Sequence, residues 1–360
     1  MRGLLRNRRR ARRDEAELQR ELSEEYYLAG QWQLMWRKFR KHRLARVSLV
    51  VLGAFYLLGI FAEFFAVQGL RSYDSRYKYV PPTPIRFVHP ERGFAPLQPF
   101  VYGITQERDP VTRRLQYVED RSVTYRVRFF TRGEPYIMWG VIPGDVHLYG
   151  ADGDGQVFLL GTDSLGRDMV SRLIHGARIS LSIGLVGVAI SLIVGTIIGA
   201  ISGYFGGVVD TVIQRLVEVL RSFPEIPLWM ALSAALPPNM PLVQTYFLIT
   251  VILSLIGWTG LARVVRGKFM ATREEDYIMA AQVAGAKDSR IIRKHLVPSF
   301  MSYLLAEITL SIPRMILAET SLSFLGLGLR SPVTSWGVLL QEAQSIRAVS
   351  LHPWLLIPVI

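Results

Sequence analysis

The chain of 360 residues contains no cysteine. That excludes disulfide staples, thiolate metal sites, iron–sulfur clusters and a cysteine nucleophile, so any metal would have to rest on His, Asp or Glu. The six histidines, His42, His89, His147, His175, His295 and His352, show no HExxH or comparable ligand spacing. A Gly-rich phosphate loop ending in Gly-Lys-Ser/Thr is missing as well, which removes the usual ATP-binding signature. Charge is scarce. Charged residues make up 20% of the chain and hydrophobic ones 50%, against roughly 25% charged in soluble domains. An ordinary soluble enzyme is excluded on these grounds, whereas a bundle of five or six membrane helices fits the length.

What charge there is sits in two places. Residues 1–46 carry 14 Lys+Arg against 6 Asp+Glu, and residues 263–298 carry 8 against 4, so the two segments hold +12 of the net +13. Both flank apolar runs, the positive-inside arrangement of cytoplasmic segments rather than a nucleic-acid surface. Residues 68–168 hold 13 basic and 12 acidic residues and are nearly neutral, which lets them lie outside.

The first apolar run, residues 47–67, has one charge, Glu63. At 1.5 Å per residue it reaches roughly 30 Å, one bilayer core. Its length and its position after 46 residues make it a signal anchor, not a cleaved signal. Just before it, Trp32, Met35, Trp36 and Phe39 fall at helical spacing opposite Arg37, Lys38, Arg40 and Lys41, as in an interfacial helix on anionic lipid. The start of the chain, with Arg8, Arg9, Arg10, Arg12 and Arg13, reads as a lipid-attracted tail.

Residues 179–203 carry no charge and place Gly195, Gly199 and Gly203 four apart, giving a face that another helix can approach closely, within the chain in the favoured reading or at a subunit interface in the other. Residues 212–236 are apolar but broken by Arg215, Glu218, Arg221, Pro224, Glu225 and Pro227, as in a broken helix lining protein or water. Residues 242–262 are uncharged, and residues 299–325 form a fifth run holding Glu307, Pro313, Arg314 and Glu319. Residues 351–360 begin a further apolar run, the expected start of a sixth span. With the N-terminus inside, both basic segments fall on the cytoplasmic side. Glu218, Arg221, Glu307, Arg314 and Glu319 are the intramembrane charges, and they are the candidates for a translocation path.

The outside insert, residues 68–160, is expected to fold. Val123, Tyr125, Val127 and Phe129 alternate with Thr124, Arg126 and Arg128 as a strand does, and Asp152-Gly153 and Asp154-Gly155 read as a hairpin turn rather than a calcium loop. The expectation is a small β-rich domain facing a binding protein.

The most informative stretch begins at Asp276: DYIMAAQVAGAKDSRIIRKHLVP. Residues 277–285 suit a short helix, Gly285 a left-handed turn, Asp288 or Ser289 the cap of a second helix, and Pro298 its end. Ile278, Ala281, Ile291 and Ile292 are then expected to dock into a partner's groove, with Lys287, Arg290, Arg293 and Lys294 left in solvent. This segment resembles the EAA loop of ABC importer permeases: Ala280, Ala281, Gly285, Ile291, His295, Leu296 and Pro298 match that pattern, and Met279 replaces the usual Glu. GTDSLGRDMVSRLIHGARISLSIGL from Gly161, GYFGGVVD from Gly203, ETSLSFLGLGLRSPVTSWG from Glu319 and WRKFRKHRLA from Trp36 resemble the second permease of the peptide and nickel importer family.

The resemblance implies an all-α polytopic membrane protein, a type I importer half with six transmembrane helices and a small β-rich extracytoplasmic insert. Its regions are residues 1–46 (basic tail and interfacial helix), 47–67 (first span), 68–160 (insert) and 161–360 (permease core with the loop 263–298). It implies an inner-membrane, multi-pass location and no enzyme activity of its own. Its partners would be a homologous permease, two ATPase subunits that bind ATP and Mg, a solute-binding protein and membrane lipid, with no nucleic acid. No cofactor or metal would be held by this chain. Peptide is the default solute, with nickel and oligosaccharide as the other family cargoes. Tyr277, Ala280, Ala281, Gly285, Ala286, Ile291, His295 and Pro298 would couple ATPase closure to the membrane helices, His295 by bonding a carbonyl or capping the helix. A secondary transporter using the same intramembrane charges would need an inverted repeat, and none is visible. A membrane-anchored outer module would not need the later spans.

Overall fold

The computed structural model describes residues 31–70, 72–89, 93–94, 98–108, 110, 113, 115–237 and 239–359. The arginine-rich start of the chain lies outside the described residues. By internal contacts the chain falls into two units, Met1–Leu57 and Leu58–Ile360.

In the first unit α1 (Gln31–Lys41) is interrupted at His42, and α2 (Arg43–Ile60) follows. The interruption caps α2, because Nδ1 of His42 accepts from the Ala45 amide at 3.1 Å. The expected first span therefore begins and ends earlier than residues 47–67. It stops at Ile60, and a short helix α3 (Ala62–Phe65) follows a break at Phe61.

The insert is β-rich, as its alternation predicts. Two short strands, β1 (Val88–His89) and β2 (Gly93–Phe94), pair with each other. The larger sheet is an antiparallel set of β3 (Phe100–Arg108), β4 (Leu115–Met138) and β5 (Ile142–Ala151), with β4 in the middle. β4 is long enough to serve two partners in turn: its first half pairs with β3 and its second half with β5. Val101, Val127, Tyr149 and Val157 form its core. The predicted hairpin turn at Asp152-Gly153 is a turn but joins no hairpin. It lies after β5, where Arg128 pairs with Asp152 at 2.8 Å and the chain leaves toward the helices. The β4–β5 hairpin turns instead at Trp139 and Gly140, both at positive φ.

The helical core opens with α4 (Met169–Phe205), capped by Asp168, whose side chain accepts from the Ser171 amide. α5 (Gly207–Ser222) and α6 (Glu225–Ala234) follow, then α7 (Leu242–Thr272). The glycine face of α4 is an internal contact. A Cβ on Gly195, Gly199 or Gly203 would meet the carbonyls of Trp258, Ala262 and Arg266 of α7 at 2.8, 2.5 and 2.5 Å. Only glycine lets the two backbones come this close. Residues 212–236 form the expected broken helix: α5 stops at Phe223 because Pro224 forces the preceding residue into extended backbone.

The loop after α7 comprises α8 (Asp276–Val283), α9 (Asp288–Ile291), a π-helical stretch Ile292–Leu296 and α10 (Val297–Ser299). The long α11 (Met301–Phe324), then α12 (Trp336–Glu342) and α13 (Ile346–Leu351), complete the core. Residues Pro353–Val359 form a 3-10 helix, with the Trp354 indole donating to the Thr162 carbonyl at 2.9 Å. Among the described residues four helices, α2, α4, α7 and α11, are long and apolar enough to cross a membrane. The chain is a helical polytopic membrane protein carrying a small sheet. The stretch 212–236 does not count as one continuous span, because its break leaves two helices that are each too short.

Candidate functional site

The loop from Asp276 is built on a rigid base. Ile278 and Ile291 are fully buried with Leu261, Val265 and Phe269 of α7, Ala200 of α4 and Leu304 of α11. This corrects the expectation that Ile278 and Ile291 dock into a partner: they fasten the loop to its own helices. Ala281, Ala286 and Ile292 pack half-buried on the same cluster. The outward face is different. Tyr277, Met279, Ala280, Val283, Ala284 and Gly285 are exposed, Val283 by 90%. Gly285 sits at φ +78°, and the Ala286 amide donates to the Ala281 carbonyl, a left-handed helix end. A Cβ on Gly285 would meet nothing within 4 Å, so the loop leaves room for a neighbour there.

The second helix departs from expectation. Lys287 occupies the cap position, and Asp288 instead accepts from the Tyr204 hydroxyl at 2.7 Å, pinning the loop to the end of α4. Pro298 does not end the helix. It follows the π-helical stretch, whose shifted hydrogen bonds absorb the amide a proline lacks. His295 lies in that stretch, half-buried, with no hydrogen bond to a carbonyl among the described residues. Lys287, Arg290, Arg293 and Lys294 line an open cleft of about 660 Å³ beside Gly285.

The charges singled out in residues 212–236 and 299–325 divide into three groups. Arg221, Glu307 and Arg314 line one cavity of about 260 Å³ with Glu225, Ser191, Ser311 and Trp229. Its charges are loosely paired: Arg314 lies 3.8 Å from Glu307 and its side chain is 70% exposed. Arg221 and Glu225 have no ion-pair partner among the described residues. Glu218 points elsewhere, paired with Arg215 at 2.9 Å on the exposed side of α5. Glu319 is 0% exposed and accepts from Ser180 at 3.0 Å and Ser323 at 2.7 Å. Ser180 in turn accepts from the Trp336 amide, so Glu319 ties α4, α11 and the start of α12 together.

Sequence reasoning missed a fourth cluster. In GTDSLGRD and the helix after it, Asp163 accepts from Arg167 at 2.6 Å and Arg172 at 2.7 Å, and both arginines reach Glu342 of α12. Asp163, Arg167 and Arg172 are buried. No helical spacing marks the set, because Asp163 and Arg167 precede α4 and Glu342 lies 170 residues from Arg172. Beside it Asp168 caps α4 through one carboxylate oxygen while Oδ1 has no partner. Burial pushes the Asp168 carboxyl up to about 6, the Ser171 hydrogen bonds opposing that shift and Asp163 adding to it. At the C-terminal end of α4 Asp210 pairs with Arg266 and accepts from Ser202 at 2.5 Å, holding the glycine turn after α4 against α7.

Comparison with known proteins gives two family matches. Residues 195–360 match the binding-protein-dependent transport system inner membrane component, and residues 30–82 match the N-terminal TM domain of oligopeptide transport permease C. The chain is 39% identical over 182 residues to the dipeptide transport system permease protein DppC of Bacillus subtilis, an alignment covering 51% of this chain and 55% of that protein. It is 43% identical over 197 residues to the oligopeptide transport system permease protein OppC of Escherichia coli K12, covering 55% and 63%. The chain thus spans less than two thirds of the length of these relatives. Among solved structures, an inward-facing form of the MetNI methionine ABC transporter aligns at TM-score 0.42 and 19% identity, over 53% of this chain and 89% of that one. A likeness that loose carries no argument.

Proposed function

Because residues 195–360 and 30–82 match two models of transport permeases, we propose that the chain belongs to the binding-protein-dependent permeases and is one transmembrane subunit of an ATP-driven importer for peptides. It passes solute from an extracytoplasmic binding protein to the cytoplasm and occupies the second position of a permease pair. The single observation that carries this reading is the loop Asp276–Leu296: its base is cemented to three membrane helices, while Tyr277, Met279, Ala280 and Val283 form an uncharged, exposed outward face. A lever of that form transmits motion. A push on Ala280, Val283 and Gly285 reaches α7 through Ile278 and Phe269, and α11 through Ile291 and Leu304.

ATP and Mg belong to two partner ATPase subunits that dock on this face, the basic cleft beside Gly285 giving them an electrostatic rim. The N-terminus and loop are cytoplasmic and the insert lies outside, where a binding protein delivers solute. The open charged cavity supports the pairing. Arg221 and Arg314 stand uncovered by their own chain, and a charge facing lipid costs roughly 3 kcal/mol, so a second permease or water must cover them.

The test is a substitution on the outward face that costs the fold nothing. Val283→Glu should leave insertion unchanged while abolishing co-purification of the ATPase and uptake. Normal complex and uptake would reject the lever. ATP turnover by the purified chain alone would reject the division of labour.

A further inference from the structure

The tip of the β4–β5 hairpin has the wrong chemistry for a solvated turn. Residues 135–143, PYIMWGVIP, carry no charge, whereas hairpin turns in water favour Asn, Asp and Gly. Ile137, Trp139, Val141 and Ile142 are 61, 53, 77 and 50% exposed. Its position is anchored. The Trp139 indole donates to the carbonyl of Ile60, the last residue of α2, at 2.8 Å. The Trp139 ring lies 5.5 Å from Phe61, and the Phe130 ring 6.0 Å from Phe64. Arg178 also donates to Ile60 and pairs with Glu63, so the apolar run of α2 gives way to a charge pair at this level.

We propose that this hairpin tip is a membrane anchor: Ile137, Trp139, Val141 and Ile142 insert into the lipid leaflet at the C-terminal end of α2. The inference rests on the reading of α2 as a membrane span. Its 18 residues reach about 27 Å at 1.5 Å per residue, and Ile60 then lies at the bilayer interface. Trp139, bonded there, presents its ring to acyl chains and its N–H to a carbonyl, the amphipathic role tryptophan plays at membrane interfaces. Lipid is favoured over a soluble protein as the occupant because the tip is fastened to Ile60 and Phe61, where the apolar run ends. The anchor fixes one end of the sheet at the membrane. The far end of the sheet is fastened within the insert, where the Tyr117 hydroxyl donates to the Arg76 carbonyl at 2.9 Å.

The chain's lack of cysteine permits a direct test. Single cysteines at Val141, at Val118 near the far end of the sheet, and at Val50 in α2 are labelled with a small fluorophore in the full chain, reconstituted in phosphatidylethanolamine–phosphatidylglycerol nanodiscs. The Val141 label should lose fluorescence to lipids brominated near the headgroup end of their chains, the Val50 label to lipids brominated deeper, and the Val118 label to neither. A Val141 label quenched by aqueous iodide but by no brominated lipid overturns the anchor. So does one that iodide reaches in nanodiscs of the chain alone and not in the assembled transporter, which would mark a subunit contact. If the Val50 label also escapes every brominated lipid, the membrane reading of α2 falls first and takes the anchor with it.

Discussion

Two clusters of charge lie within the helical core, and they are treated in opposite ways. Asp163, Arg167 and Arg172 are buried and bonded to one another, and both arginines are bonded to the half-buried Glu342. Arg221, Glu225, Glu307 and Arg314 line an open cavity with one contact of 3.8 Å among them. Charges removed from solvent are costly unless paired, so the first cluster is explained by the fold that it fastens. The second is not explained by its own chain. Its charges stabilise little and stay accessible, which suits groups that meet a passing solute or a second subunit.

The largest effect should come from breaking the closed cluster. Arg172→Met leaves Asp163 and Glu342 each short of a partner, and unpairing a buried ion pair costs about 3–5 kcal/mol. The thermal midpoint of the purified chain in detergent should collapse, or the chain should fail to accumulate. Arg314→Met, made alongside, should shift that midpoint little. Equal losses would abolish the contrast between the clusters.

A second test asks whether the closed cluster is fully satisfied. Asp168, its neighbour, titrates at about 6 against an ordinary 3.8. A raised carboxyl binds its proton more tightly in the folded state, so the stability it contributes is complete below about pH 4 and is lost as pH rises through about 6. The shift of about two units corresponds to on the order of 3 kcal/mol. Thermal midpoints measured across that window should fall with pH, and Asp168→Asn, which keeps the cap on Ser171, should flatten the fall.

These contrasts also show what the sequence made legible. The glycine stripe of α4 and the break at Pro224 were readable because each follows from local sterics: a four-residue spacing without side chains, and a ring that bars the helix before it. The sheet was readable from alternation, though not its turn, because Asp-Gly and Trp-Gly are both sterically able to reverse a chain. The loop was recognisable as a motif, yet its faces were inverted for Ile278 and Ile291. Periodicity states that two isoleucines share a face and is silent on whether that face meets α7 or another protein. Glu319 read as a path residue for a similar reason: its serine partners, Ser180 and Ser323, include one 139 residues away. Glu342 escaped altogether, since its meaning depends on Arg172.

A smaller effect is expected at the coupling loop. Gly285 holds a left-handed backbone with open space around it, so Gly285→Ala should cost about 1–2 kcal/mol in backbone strain alone. The loss should be confined to the loop, seen as faster hydrogen exchange at residues 276–296, with the global midpoint moving less than for Arg172→Met. A global loss as large as that of Arg172→Met would place the loop among the elements that hold the fold.

The smallest expected stability effect belongs to the cavity, and it decides the comparison. Glu307 accepts from Ser311 at 3.2 Å and faces Arg314 across a long contact, so Glu307→Gln keeps the shape and the hydrogen-bonding oxygen while removing the charge. Exposed or loosely held pairs contribute about 0–1 kcal/mol, and the midpoint should move by no more than that. Function should respond differently: if the cavity is on the solute path, uptake by the assembled transporter falls while ATPase co-purification is unchanged. Arg314→Gln should act in the same direction, and the double substitution should not restore uptake, because a lining role depends on each charge meeting solute rather than on the pair. Rescue by the double substitution, or a midpoint loss comparable to that of Arg172→Met, would instead make Glu307 and Arg314 a second structural clasp.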